Sequence, residues 1–252
     1  MSWAARRRLL IIIVIFFVVV AVVAALSYAT LSKTPSCVDG IQNHGESGID
    51  CGGPCAYLCT DLEQPPTVLF TKTLSYNGRT DVIASIENKN ANAAAKNVPY
   101  RITLYGKGQA LIQEVTGTID LPPGASTPVY VSQIVSGKQA VIGAFLTIAP
   151  SDLQWYSMAA GERTIPLVSN TTQSGTGDAP RIDATLSNPT TEAFNNVRTI
   201  VIVHNKSGDV IAASQTVVPV ILGQGQATAI FTWNKAFSDA PAAIEVVPII
   251  PL

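Results

Sequence analysis

VIASIEN at residues 82–88 and IDATLSN at residues 182–188 decide the fold. Both open on a branched aliphatic residue and close on asparagine, Asn88 in one and Asn188 in the other. A period of two puts Val82, Ala84 and Ile86 on one face of a strand, and Ile182, Ala184 and Leu186 on one face of another. The correspondence continues outward. Asn97-Val98 answers Asn196-Val197, and YRITLYGKG at 100–108 answers TIVIVHNKSG at 199–208 with one residue inserted. Leu121-Pro122-Pro123-Gly124 falls beside Ile221-Leu222-Gly223, and AFLTI at 144–148 beside IEVVP at 244–248. A period of about one hundred residues is too long for a solenoid unit and matches a whole sandwich domain.

Turn signals bound these runs: Asn77-Gly78, Gly106-Lys107-Gly108, Pro122-Pro123-Gly124, Ser207-Gly208-Asp209 and Gly223-Gln224-Gly225. No segment after Ala29 sustains a helical period. The expected class is therefore all-β, with two tandem Ig-like antiparallel sandwiches of about seven strands each. They are expected at 66–157 and 162–252, with the junction near Met158 to Glu162. Their cores should take Val82, Ala84, Ile86, Leu104 and Val129 in the first copy. In the second they should take Ile182, Ala184, Leu186, Val201, Val203 and Phe231. Ile200-Val201-Ile202-Val203 is apolar on both strand faces, which calls for a doubly buried strand or an exposed stripe that meets a partner. TDLEQPPT at 60–67 reads as a short linker stiffened by Pro65-Pro66.

The chain has 252 residues, of which 13% are charged, well below the roughly 25% of an ordinary soluble domain. The run from Leu9 to Leu26, LLIIIVIFFVVVAVVAAL, contains no charge, proline or glycine. Eighteen residues at about 1.5 Å each span about 27 Å, close to a hydrocarbon core of about 30 Å. The expectation is a transmembrane helix over 9–29, with Trp3 and Tyr28 at the two interfaces. A cleaved signal peptide is the alternative, although its apolar region is ordinarily shorter. Arg6, Arg7 and Arg8 hold the short N-terminus, residues 1–8, in the cytoplasm, so the bulk of the chain is expected outside.

All four cysteines, Cys37, Cys51, Cys55 and Cys59, fall within 37–59. That stretch is rich in glycine and poor in apolar residues, so it needs disulfides or a metal to fold. Its spacing differs from the paired C-x-x-C of zinc ribbons, and outside the cytosol disulfides are expected. Four cysteines allow three pairings, and the sequence does not select one. Asp39, Asn43, Glu46 and Asp50 lie among them, hard oxygen donors set between glycines. The pattern C-x-D-G-I-x-N-x-x-E-x-G-x-D-C-G-G-x-C resembles a cysteine-rich module of bacterial and archaeal surface proteins. It is also similar to the calcium repeats of thrombospondin type 3. The resemblance implies a stapled knot that holds calcium through those four residues. Read from the residues alone, the same side chains would cap turns.

NVPYRITLYGKG at 97–108, preceded by a strand ending in Asn88, resembles the FxLYD-type bacterial domain, with Tyr105 at its tyrosine and Gly106 in place of its usual aspartate. In the second copy His204 stands at the tyrosine position. This resemblance implies an Ig-like sandwich on a membrane-anchored protein and brings no catalytic residue.

Function classes narrow by exclusion. A net charge of −1 argues against a nucleic-acid partner. There are two histidines, His44 and His204, and no G-x-S-x-G, H-E-x-x-H or Walker motif, so a non-enzyme is expected. Binding candidates are the polar segment Ser169, Asn170, Thr171 and Thr172, read as a loop insertion, and the aromatics Trp155 and Tyr156. The latter would form a ligand platform or plug the junction between the sandwiches. The expected role is envelope binding, adhesion or spacing at the surface, with an envelope protein or a glycan as partner. The alternative is an accessory subunit of a membrane secretion, pilus or signalling assembly.

Overall fold

A computed structural model describes residues 3–31, 36–76, 79–135, 140–149 and 153–252. The Asn77-Gly78 turn lies outside the described residues. The chain divides into two compact units, Met1–Cys55 and Ala56–Leu252.

The first unit holds one long helix, α1 (Trp3–Leu31), followed by the knot. Within its stretch Arg6–Tyr28 an 18-residue window has a mean hydropathy of 3.6 and is 0% buried, so the helix is long and apolar enough to cross a membrane. No acidic or basic residue interrupts Leu9 to Leu26, and exposed Ile, Val and Phe side chains surround the axis. Such a surface suits lipid, where a β-branched run still has to pair its backbone internally as a helix.

Among the described residues of the second unit, thirteen strands build four antiparallel sheets. β1 (Thr67–Tyr76), β2 (Arg79–Asn88) and β5 (Ala125–Val135) form one sheet in the order β1-β2-β5. β4 (Leu111–Leu121), β3 (Ala93–Tyr105) and β6 (Gly143–Ile148) form its partner, and the short β7 (Trp155–Ser157) also pairs with β3. The second lobe follows the same order. β8 (Leu167–Thr176), β9 (Ala179–Ser187) and β12 (Gln226–Thr232) make one sheet. β11 (Val210–Ile221), β10 (Phe194–His204) and β13 (Ala243–Ile249) make the other. The first lobe thus has seven strands and the second has six. All eleven core residues expected from the repeat are buried.

The asparagines that end the two matching stretches make equivalent hydrogen bonds. Asn88 donates from Nδ2 to the carbonyls of Ala93 (2.8 Å), Leu121 (3.3 Å) and Pro122 (2.9 Å), and its Oδ1 accepts from the Asn90 amide (3.0 Å). Asn188 donates to Glu192 (2.7 Å) and Ile221 (3.1 Å) and accepts from the Thr190 amide (2.9 Å). Each one satisfies backbone groups that a buried strand-to-strand corner would otherwise leave orphaned.

The lobes share a third hydrophobic core. Ile83 on β2, Ile200 and Ile202 on β10, and Val210 and Ala213 on β11 pack together, flanked by Phe70, Leu74, Tyr130 and Ile249. The sheet β1-β2-β5 of the first lobe therefore lies on the sheet β11-β10-β13 of the second. This makes β2 and β10 buried on both faces, and it resolves the apolar Ile200–Val203 run as an interior strand.

Two expectations are corrected. Trp155 does not plug the junction between the sandwiches. It is 1% exposed inside the first lobe, opposite Ala95 on β3, where small alanines leave room for the indole. The segment from Ser169 to Thr172 is not a loop insertion but part of edge strand β8, equal in length to its counterpart β1. Its Ser, Thr, Asn and Gly composition imitates a turn, yet β9 supplies the hydrogen-bond ladder and threonine suits a strand. The division between the two compact units falls after Cys55, inside the 37–59 stretch. Tyr57 bridges to Tyr156, and the Leu58 amide donates to the Trp155 carbonyl at 2.7 Å, which ties 56–59 to the first lobe. The linker is pinned by a reciprocal pair, Gln64 N to Asn90 Oδ1 and Asn90 Nδ2 to Gln64 O, both 2.8 Å.

Candidate functional site

Within the knot, Cys37 is bonded to Cys55, Cys51 and Cys59 are also disulfide-bonded, and no cysteine is free. The acidic side chains serve the backbone. Asp50 Oδ1 accepts from the amides of Asp39 (2.9 Å) and Gly40 (3.1 Å), and Asp39 Oδ1 from that of Ile41 (2.9 Å). Glu46, 7% exposed, accepts from the amides of Asn43 (3.3 Å) and Asp50 (3.2 Å). Asn43 presents its Nδ2, not its oxygen, to Asp39 Oδ2 at 3.0 Å, while Asn43 Oδ1 is buried without a partner. Glu46 Oε1 also lies 3.2 Å from Cys55 Sγ, but that sulfur is oxidised and offers no thiolate. Gly53, with φ of 58°, has no room for a side chain, since a Cβ there would collide with the Gly45 carbonyl.

These four residues are together, as calcium would require; Asp39, Glu46 and Asp50 accept from backbone amides, while Asn43 Oδ1 is buried without a partner. The amide bonds made by the three carboxylates suit the turn-capping reading of these side chains. We therefore expect chelator to leave the amide exchange of 36–55 unchanged, and reductant to accelerate it strongly. Loss of protection on adding chelator alone would refute this.

Tyr156 is partly buried. Lys96 Nζ stands 5.1 Å above its ring, and its hydroxyl has no partner. Burial, and then Asp120, push the phenol above its ordinary pKa. Arg163 sits nearby with Nε buried and unpartnered, and burial lowers its pKa. Asp120 accepts from the amides of Asn97 (2.8 Å) and Leu252 (2.9 Å), so this corner fastens the last residue of the second lobe to the first.

The site with room for a ligand lies elsewhere. A cleft of about 880 Å³ opens beside the inter-lobe core, within the size range of small-molecule sites. The end of β1, the start of β11 and the segment that leads from β12 toward β13 line it. Trp233 and Phe237 stand there edge to face, with centroids 5.0 Å apart and planes at 76°. Trp233 is fixed by backing onto the second core and by donating from Nε1 to the Ala213 carbonyl at 3.4 Å. Lys72 from the first lobe and Lys235 from the second also reach the cleft. Asp239 holds Asn205 Nδ2 at 3.0 Å. At the floor, buried Asp81 accepts from Tyr130 Oη and the Gln133 amide, both at 2.7 Å.

WNKAFSD at 233–239 was not singled out from the sequence. Its available signal was two aromatics four residues apart inside a turn-rich connection. Of the expected binding residues, Ser169 to Thr172 lie on β8 and Trp155 in the first core, and neither lines the cleft. His204 donates from Nδ1 to the Gly208 carbonyl at 3.1 Å, and His44 sits exposed in a knot turn with φ of 53°.

No family model and no curated protein matches this chain. Among solved structures, the crystal structure of red sea bream transglutaminase aligns over 72% of this chain at 11% identity and a TM-score of 0.23. The chain spans 29% of that protein's length.

Proposed function

We propose that this chain is a membrane-anchored, extracytoplasmic, non-enzymatic binding protein whose inter-lobe cleft takes a neutral glycan segment. The observation that carries the reading is the Trp233–Phe237 pair inside a cleft whose lining mixes aliphatic side chains such as Leu74, Val210 and Ile211 with amide, carboxylate, ammonium and hydroxyl groups. Aromatic faces accept the apolar C–H faces of sugar rings, and short polar side chains accept and donate to their hydroxyls. Lys72 and Lys235 oppose Asp81, Asp209 and Asp239, so the lining carries little net charge and does not favour a polyanion. An apolar helix behind three arginines supports the anchor and its orientation, and oxidised cysteines support an exported location.

Full-length protein in detergent, applied to an array of surface glycans, is expected to bind a subset of neutral oligosaccharides. Trp233→Ala should weaken that binding at least about tenfold, a loss of roughly 1.4 kcal/mol. Binding that survives Trp233→Ala would sink the cleft assignment. A stable partner protein lost on scrambling 9–26, with no glycan bound, would favour the accessory-subunit reading instead.

A further inference from the structure

We propose that Asn170 carries an N-linked glycan and that Asn205 does not. The chain has two Asn-x-Ser/Thr triplets, Asn170-Thr171-Thr172 and Asn205-Lys206-Ser207. Asn188-Pro189-Thr190 is disqualified by its proline, and Asn188 is 2% exposed.

The two triplets differ in whether the amide nitrogen can act. Asn205 Nδ2 already donates to Asp239 at 3.0 Å, and its Oδ1 accepts from the amides of Ser207 (3.0 Å) and Asp209 (2.9 Å). The Asn205 amide to Asp209 carbonyl bond (3.0 Å) and the Gly208 amide to Asn205 carbonyl bond (3.0 Å) close the same turn. A transferase would have to dismantle that turn to use Asn205. Asn170 stands instead on a bulge. The β8–β9 register passes from Ser169 opposite Thr185 to Thr172 opposite Asp183, so Asn170 and Thr171 drop out of the ladder. Asn170 has φ of 49°, and its side chain, like those of Thr171 and Thr172, is exposed.

A second observation points the same way. β8 is the outer strand of its sheet, and all ten of its residues are exposed. It contains no charged residue and no proline, the usual guards of an open strand edge. Its counterpart β1 carries Lys72 and lays Phe70 and Leu74 against the second lobe. A bulky hydrophilic group at the centre of β8 would block edge-to-edge pairing.

In the transfer, Asn170 Nδ2 attacks the anomeric carbon of a lipid-phosphate-linked oligosaccharide. The N–C bond forms as the anomeric C–O bond to phosphate breaks. The amide proton passes to a base of the transferase, the lipid phosphate leaves, and no oxidant is needed. The proposal rests on the exported location argued above.

The test is peptide mapping by mass spectrometry of the full chain purified from its own cells. The tryptic peptide 164–181 is expected to carry a glycan, and 199–206 to be unmodified. Asn170→Gln and Thr172→Ala should each abolish the glycan, and Thr172→Ser should retain it. A bare 164–181 in material whose Cys37–Cys55 bond is oxidised overturns the proposal and leaves the exported location standing. Reduced cysteines overturn both. A glycan on Asn205 overturns the geometric selection.

Discussion

Replacing Ile202 by aspartate is expected to destabilise the β unit by at least about 4 kcal/mol, read as a lowered urea midpoint. Ile202 is 2% exposed between the two lobes, against Ile83 and Ala213. Burying an isoleucine there contributes about 1.5–3 kcal/mol, and a carboxylate in its place finds no partner among those aliphatic neighbours. Ile202→Val, which keeps the shape and loses one methylene, should cost only about 0.5–1.5 kcal/mol. Both lobes are expected to melt together in the native chain, because β2 and β10 each belong to two cores. An Ile202→Asp protein with an unchanged midpoint would show that the lobes fold without their shared core.

Asn188→Ala is the second large effect, with an expected loss of roughly 3 kcal/mol. The substitution strips partners from the buried carbonyl of Ile221, from the Glu192 carbonyl and from the Thr190 amide. Each satisfied bond contributes about 1 kcal/mol, and each orphaned buried group costs about 1–3 kcal/mol. Asn188→Asp should not rescue stability, since a carboxylate keeps the acceptor and loses the Nδ2 donor. Asn88→Ala should behave alike, because Asn88 makes the corresponding bonds in the first lobe. A change under about 0.5 kcal/mol at either position would remove the corner role from both.

The paired lobes were legible because a repeated strand is a local pattern. Val82, Ala84 and Ile86 announce one buried face, and Ile182, Ala184 and Leu186 announce the same face again. Asn88 and Asn188 recur with them, yet only coordinates reveal that they pin buried carbonyls, since their partners at Leu121 and Ile221 are 33 residues away. β8 was illegible for a different reason. Exposed on both faces, it has no apolar alternation to report, and its neighbour alone makes it a strand. The cleft was illegible because it exists only where the lobes meet. Lys72 and Trp233 come from distant parts of the chain, and neither is unusual in its own segment. Trp155 was misplaced because a lone tryptophan near a junction does not disclose which cavity admits it; the alanines at 93–95 were the clue.

The way the lobes stack is directional, since a face of one kind on the first meets a face of the other kind on the second. Such a joint has no built-in stopping point: the free ends of the pair are the two complementary faces, and nothing in its geometry prevents a third lobe, or another molecule, from extending the column. Side-chain chemistry sets the free faces apart from the joint. Where the covered joint has Ile202 beside Ala213, the free face of the first lobe has Thr103 beside Glu114, with Arg101 paired to Glu114 at 3.5 Å. Where the joint has Ile83, the free face of the second lobe has Asp183, held by Arg181 at 2.9 Å. These charged pairs make either free face more costly to desolvate than the aliphatic joint.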